Sequence, residues 1–212
     1  MVIEMDVRAL ALCELSNDLL YHKIEKDKLS QYVDLPLAKG KEIAQKFAGQ
    51  DIEELYKEYG IKIKYSKSGK KSYGVILRGQ VTMSKSECEV EIYTESIEQL
   101  AKFSHWNGIS LTYEEALHVH LAHEFYHFWE YKNKISILDD LPKVERFSFL
   151  GMKKYCKINR GCEVAAHAFA MELLGLPTLP SYYDYMYLMQ TGNMKEEDFQ
   201  SLIKKMQDLL GE

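Results

Sequence analysis

A helical pattern that contains neither proline nor glycine runs from Thr112 to Lys132. Thr112 is followed three residues later by Glu115, which is the spacing of a capping box at a helix start. Large and small apolar residues fill this segment and would bury it: Leu121, Ala122, Phe125, Phe128 and Trp129. We therefore predict a helix whose middle part is buried, where polar side chains need partners.

Two histidines and a glutamate lie inside this apolar segment: His123, Glu124 and His127. Residues four apart lie one turn apart on the same helix face, so the two imidazoles can reach one metal ion. Glu124 lies beside that pair, from where its carboxylate can reach a water molecule on the metal. This HExxH spacing predicts two zinc ligands and a general base that takes a proton from the activated water.

A catalytic zinc ion usually has three protein ligands and one open position. The metzincin continuation HExxHxxGxxH is excluded, because its glycine and last-histidine positions hold Glu130 and Asn133. A later predicted helix, from about Cys162 to Leu174, carries Glu163 among small apolar residues, and we expect Glu163 to be the third ligand. His167 on the same face is the competing ligand, or else a group that holds a ligand in place. Three other carboxylates are weaker candidates: Asp139, Asp140 and Glu172.

Other polar residues near the motif are candidates for holding a ligand in place. His120 lies one turn before His123, and Glu130 follows His127 by three residues. We favour an ordinary hydrogen-bonded histidine for His120 and a solvated carboxylate for Glu130. Cys162 adjoins Glu163, and we interpret it as a buried, inert thiol rather than as an oxidation sensor.

The segments "HEFYH" and "EVAAHAFAMELLGLP" together resemble the ImmA/IrrE family of zinc peptidases. That family pairs HExxH with a downstream helix of the form E-x-x-A-x-x-F-A, followed by Leu-Leu and a proline. The matching positions are Glu163, Ala166, Phe169, Ala170, Leu173, Leu174 and Pro177, and the resemblance covers roughly 51–177. It implies a gluzincin-like site with His123, His127 and Glu163 on zinc and Glu124 as the base. It also implies cleavage of a transcriptional repressor, often one encoded by a mobile element or a stress regulon.

The chain departs from the family pattern at two places. His167 stands where the family usually has asparagine or a similar amide, which changes the surroundings of the ligands. The interval between His127 and Glu163 is long and contains "ISILDDLPKVERFSFLGMKKYCK". An insertion of this kind would shape access of the substrate, so the specificity for a particular repressor cannot be carried over from the family to this chain.

The predicted fold class is α+β, mostly helical, with a small antiparallel sheet of about three strands between Ile61 and Thr94 and a zincin-like arrangement around the HExxH helix. We expect an N-terminal helical segment at 1–50, a metallopeptidase core at 51–180 and C-terminal helices at 181–212 packed on it, forming one compact domain. The predicted helices outside the site are at 7–24, 41–48, 51–60, 96–107 and the two at the C-terminal end. Leu35-Pro36 and Gly40 are interpreted as breaks, and 134–160 receives no assignment.

Composition and charge exclude several classes of protein. The net charge of -5 argues against a general nucleic-acid binder, and the run of lysines at 62–71 is interpreted as a solvated hairpin tip. The four cysteines form no CxxC pair, which indicates reduced thiols. No signal peptide and no apolar run long enough to span a bilayer is visible. We expect a cytoplasmic protein with no nucleic-acid or membrane partner.

The leading functional hypothesis is a zinc endopeptidase that acts on a protein substrate, with a repressor as the candidate that the resemblance suggests. A zinc hydrolase of a non-peptide amide or ester is the second hypothesis, because the same site activates water towards any carbonyl. A metal-dependent regulatory protein without turnover is the third. An exposed strand edge beside the cleft would favour the first hypothesis, and a narrow, closed pocket would favour the second.

Overall fold

The computed structural model describes residues 6–67, 71–72, 75–84, 87–106 and 108–211. The helices in these ranges are α1 (Val7–Leu15), α2 (Leu29–Gln45), α3 (Ile52–Tyr59), α4 (Thr94–Phe103), α5 (Tyr113–Asn133), α6 (Ile137–Asp140), α7 (Arg160–Leu174), α8 (Ser181–Gln190) and α9 (Glu196–Leu210). The strands are β1 (Lys62–Ser66), β2 (Lys71–Ser72), β3 (Val75–Ile76), β4 (Gly79–Met83), β5 (Cys88–Tyr93), β6 (His105–Trp106), β7 (Ile109–Ser110), β8 (Val144–Phe149) and β9 (Met152–Cys156). The predicted α+β class, mostly helical with small sheets, is confirmed.

The largest sheet has three strands in the order β1-β5-β4. β4 pairs with β5 in antiparallel fashion, as expected, but β1 runs parallel to β5. The prediction of a purely antiparallel sheet is therefore wrong, because β1 is not joined to its neighbour by a hairpin. The connection from β1 to β5 passes through three other strands and is long enough for a parallel crossover. Part of the hairpin tip expected at 62–71 lies outside the described residues, and Lys62 and Lys64 lie in β1.

The first helix is shorter than the predicted range 7–24. α1 ends at Leu15, and the Asp18 carboxylate accepts the Leu20 N–H in the turn that follows. Leu19 is 91% exposed there, although the periodicity assigned it to the buried face. A side chain that bonds to a neighbouring backbone group competes with helix formation, and this explains the early end.

The expected break at Leu35-Pro36 and Gly40 is also wrong, because α2 continues through both positions. A proline inside a helix costs about 3 kcal/mol. α2 buries Val33 and Ile43 completely, and each such side chain stabilises the fold by about 1.5–3 kcal/mol. Tertiary packing therefore outweighs the local penalty.

Gly40 lies where α2 crosses α7. A Cβ atom at this position would be 2.2 Å from the Ala165 carbonyl oxygen and 2.8 Å from the Ala168 Cβ. The missing side chain thus permits a close approach of the two helices. It brings the N-terminal region directly onto the helix that carries Glu163.

Several local signals are confirmed. Thr112 and Glu115 form the predicted capping box at the start of α5. Asp51 caps α3, which ends at Gly60 in the left-handed conformation, and α7 ends in the same way at Gly175. In the described ranges, no helix combines the length and the apolar character that crossing a bilayer requires.

The unassigned range 134–160 contains α6 and the antiparallel hairpin of β8 and β9. A bulge between Glu145 and Phe147 in β8 interrupts the alternation of side chains between the two faces of the hairpin. The exposed face of the hairpin carries apolar side chains, so no simple inside–outside pattern marks these strands in the sequence.

Candidate metal centre

α5 and α7 bring three predicted ligands together. The His123 Nε2 and His127 Nε2 atoms lie 3.2 Å apart. The Glu163 carboxylate lies 3.2 Å from His123 Nε2 through Oε2 and 3.7 Å from His127 Nε2 through Oε1. Among the described residues, this trio is the group of histidine, cysteine and acidic side chains close enough to hold a metal ion. The structure thus brings together the two ligands predicted from HExxH and the third predicted from α7.

The distances between these atoms fit a metal ion. Tetrahedral zinc holds nitrogen and oxygen ligands at about 2.0–2.1 Å, which separates neighbouring ligand atoms by about 3.3 Å. The donor set of two imidazoles and one carboxylate is also one that zinc accepts. The side chains of His123, His127 and Glu163 are 15%, 17% and 30% exposed, so the centre is reachable from solvent.

The Glu163 carboxylate and the His123 imidazole pair closely, and each shifts the pKa of the other. Burial of His123 disfavours its protonation, but the hydrogen bond and charge of Glu163 outweigh it and raise the pKa to about 9. Burial acts against the Glu163 charge in the same way, yet the two imidazoles hold the pKa of this carboxyl well below its usual range. Glu163 is therefore ionised, which is the form in which a carboxylate binds a metal ion.

Glu124 lies beside the centre and is held by the sheet. Its side chain is 9% exposed, and its Oε2 atom accepts the Val81 backbone N–H of β4 at 3.0 Å. The other oxygen, Oε1, lies 3.7 Å from the point where a Cβ of Gly79 would be. This fixed carboxylate lies outside the ligand trio, and its role as a base stays a prediction.

β4 is the outer strand of its sheet and presents an edge to this site. The Val81 N–H donates to Glu124 and therefore points away from β5. Residues that pair with β5 alternate along β4 with residues that face outward. The backbone groups of Gly79 and Met83 therefore point away from β5, as those of Val81 do. An extended chain can pair with such an edge.

The two other histidines near the centre lie in the cleft wall but do not bond to a ligand. His167 has its ring centroid 4.8 Å from that of His123, and its buried Nδ1 atom has no hydrogen-bond partner among the described residues. Burial, followed by the charge of His123, lowers the His167 pKa to about 3. His120 contacts the Ala116 carbonyl oxygen through Nδ1 at 2.7 Å, and burial and Arg78 lower its pKa to about 4.

The interpretation of Glu130 as a solvated carboxylate is wrong. Glu130 is 8% exposed, and its Oε1 atom accepts the Tyr126 hydroxyl at 3.2 Å and the Ile137 N–H at 2.8 Å. Burial raises its pKa, against the effect of the Ile137 N–H. Glu130 thus ties the end of α5 to the start of α6, and no bond to His127 is found in the described part of the chain.

The weaker ligand candidates lie on the surface, where two of them have other partners. Asp139 pairs with Lys157 at 2.5 Å, and Glu172 lies 3.6 Å from Lys41. The Cys162 thiol donates to the Asn159 carbonyl oxygen. Burial and then the neighbouring Glu163 raise the Cys162 pKa to about 12, which agrees with an inert thiol.

Two arginines line the cleft without having been singled out in the sequence. Arg78 is 7% exposed and donates to Asp184 on α8 and to the Ser96 carbonyl oxygen. Arg160 donates to Glu14 of α1 at 2.8 Å. Both pairs join residues more than a hundred positions apart, so no local pattern reveals them. The cleft that they border has a volume of about 230 Å³.

Comparison of the chain with protein-family models, with curated proteins and with solved structures gives no match.

Proposed function

We propose that this protein is a zinc-dependent endopeptidase with a zincin-like active site. The observation that carries the proposal is the convergence of His123, His127 and Glu163 at ligand spacing beside a separate, fixed Glu124. The three side chains would hold zinc. When bound, zinc supplies a Lewis acid that polarises a carbonyl and lowers the pKa of water towards ~7.

Each protein group then has one task. The bond from the Val81 N–H holds Glu124 Oε2 in place and leaves Oε1 to accept a proton from the attacking water. The same carboxylate can return the proton to the leaving amine. The outward backbone groups of Gly79 and Met83 would bind an extended segment alongside β4, so that its carbonyl faces the centre.

The surroundings of the centre favour a peptide over a small-molecule substrate. The outward-facing edge of β4 lies beside the centre, and an exposed strand edge favours a peptide substrate. The cleft, with about 230 Å³, can hold one side chain of a segment that lies along this edge. A zinc hydrolase of non-peptide amides or esters is the alternative, and it would bind its substrate without using that edge. A regulatory protein without turnover is the third possibility.

The substrate that we propose is a cytoplasmic protein with an accessible extended segment. A transcriptional repressor is the first candidate, supported by the resemblance of "HEFYH" and "EVAAHAFAMELLGLP" to the ImmA/IrrE family. Support for the repressor comes from this resemblance alone.

Replacement of the base tests the peptidase hypothesis against its alternatives. Glu124→Gln should retain zinc and fold but lose at least about 10²–10⁴-fold in turnover, the usual contribution of a general base. The inactive variant is used to capture proteins from the native cell extract, and each captured protein is then incubated with zinc-loaded wild type. Glu114→Gln is the matched control, because Glu114 is an exposed glutamate in the first turn of the same helix.

We expect wild type and Glu114→Gln to cut at least one captured protein, and Glu124→Gln to leave it intact. Equal cleavage by Glu124→Gln would exclude Glu124 as the base. Cleavage of none of the captured proteins by zinc-loaded wild type would contradict the peptidase proposal and leave the non-peptide hydrolase and the binding protein.

A further inference from the structure

The hairpin of β8 and β9 ends in an exposed apolar tip. Phe149, Leu150 and Met152 are 62%, 83% and 69% exposed, and Phe147 behind them is 51% exposed. Cross-strand pairing places Phe149 opposite Met152 on one face, with Leu150 at the outermost position of the turn. Such a concentration of apolar surface at a protruding tip indicates contact with an apolar environment.

Leu150 also has a backbone conformation that leucine rarely adopts. Leu150 has φ 47° and Gly151 has φ 80°, so both central residues are in the left-handed region. Two-residue turns of this type favour Asn-Gly or Asp-Gly, because a leucine side chain is strained there. A residue that is both strained and exposed contributes little to folding, which suggests a role outside the fold.

Basic residues surround the base of this tip. The segment 143–157 contains five basic residues and one acidic residue, a net charge of +4 in a chain whose net charge is -5. Lys153 and Lys154 directly follow Met152, and since a strand advances about 3.4 Å per residue, their backbones lie within about 7 Å of it. Arg146 lies further back at the bulge.

We propose that this hairpin tip docks on the surface of an anionic lipid bilayer. Apolar side chains at an interface reach about 5–10 Å into the boundary between headgroups and acyl chains. Phe149, Leu150 and Met152 would occupy that layer, and Lys153, Lys154 and Arg146 would lie at the depth of the anionic headgroups. This is peripheral attachment by a loop and needs no spanning helix.

The arrangement of the side chains favours lipid over a macromolecular partner. The tip residues Phe149, Leu150 and Met152 lie beyond the two lysines along the hairpin axis, and Lys153 and Lys154 point to opposite faces. A flat protein surface would select one face, whereas a bilayer surrounds the tip on all sides. Single-stranded nucleic acid binds by stacking on planar rings, and of the three tip residues only Phe149 has one.

The test is sedimentation of the full-length protein with lipid vesicles. Vesicles of phosphatidylcholine with about one-third phosphatidylserine are compared with vesicles of phosphatidylcholine alone, at low and at high salt. Leu150→Asn is the decisive variant, because asparagine suits the left-handed turn and removes the apolar side chain. Lys153→Gln/Lys154→Gln removes the nearby charges, and Lys204→Gln/Lys205→Gln on α9 is the matched charge control. Thermal melting confirms that each variant is folded.

We expect binding to the anionic vesicles that weakens with salt, and at least about a tenfold weaker partition for both Leu150→Asn and Lys153→Gln/Lys154→Gln. The α9 control should bind as wild type does. The proposal is overturned if wild type does not sediment with anionic vesicles, if folded Leu150→Asn binds as tightly as wild type, or if only a single-stranded oligonucleotide binds through the hairpin. None of these outcomes depends on peptidase activity.

Discussion

Glu163 and His167 share one face of α7, but only the Glu163 side chain meets both imidazoles of α5. Its carboxylate oxygens lie 3.2 Å and 3.7 Å from the two Nε2 atoms, whereas the His167 ring packs on the His123 ring. The sequence identified both residues as polar groups among small apolar neighbours, and the HExxH spacing identified the other two ligands. The burial of Glu130 was not predictable, because its bond to Ile137 depends on how the chain turns after α5.

At the residue scale, substitutions of Glu163 and His167 on α7 should show which of the two side chains binds zinc. Glu163→Gln is expected to weaken zinc binding by more than about 100-fold, since loss of a residue that merely supports a ligand costs about 10–100-fold. His167→Gln should cost less than Glu163→Gln. Competition with a chelating dye measures each affinity.

Glu172→Gln on the same helix is the matched control, because Glu172 faces Lys41 rather than the centre. Its zinc affinity should equal that of wild type. A larger loss for His167→Gln than for Glu163→Gln would mean that His167 is the ligand.

At the element scale, local signals were sufficient for some helices and not for others. Caps and left-handed glycines at Asp51, Gly60, Thr112 and Gly175 act within one helical turn, so their effect is readable from the sequence. α2 continues through Pro36 because of what it buries against α7, and this depends on residues far away in the chain. The parallel pairing of β1 with β5 likewise depends on contacts between distant segments and not on a local sequence signal.

The crossing of α2 and α7 gives a prediction at this scale. Gly40→Ala should lower the free energy of unfolding by about 1–3 kcal/mol, because a Cβ would overlap the Ala165 carbonyl oxygen and overpacking costs this much. The gain in helix propensity, about 0.5–1 kcal/mol, offsets only part of that. Urea denaturation measures the change.

Gln31→Ala on the exposed face of α2 is the control, since it adds an alanine to the same helix without meeting α7. It should leave the urea midpoint unchanged or raise it slightly. If Gly40→Ala were as stable as Gln31→Ala, the result would contradict the close approach of α2 and α7 at Gly40.

At the scale of the whole molecule, the centre depends on segments that are distant in sequence. α2 packs against α7, α5 carries the two histidines, and β4 holds Glu124. Arg160 and Glu14 join α7 to α1 at the edge of the same cleft. The resemblance covers only 51–177, so the contribution of α1 and α2 was not part of the expected site. The hairpin at 144–156 lies within that range, in the insertion that departs from the family pattern.

The central claim is that this fold assembles one zinc site from His123, His127 and Glu163. Elemental analysis of the purified chain, after loading with zinc and removal of the excess, tests it most directly. Wild type should contain one zinc ion per chain, and His123→Ala/His127→Ala should contain less than about one tenth of that. The control His22→Ala/His118→Ala removes two histidines outside the site and should keep the full content. Equal zinc in wild type and His123→Ala/His127→Ala, or no zinc in wild type, would contradict the account.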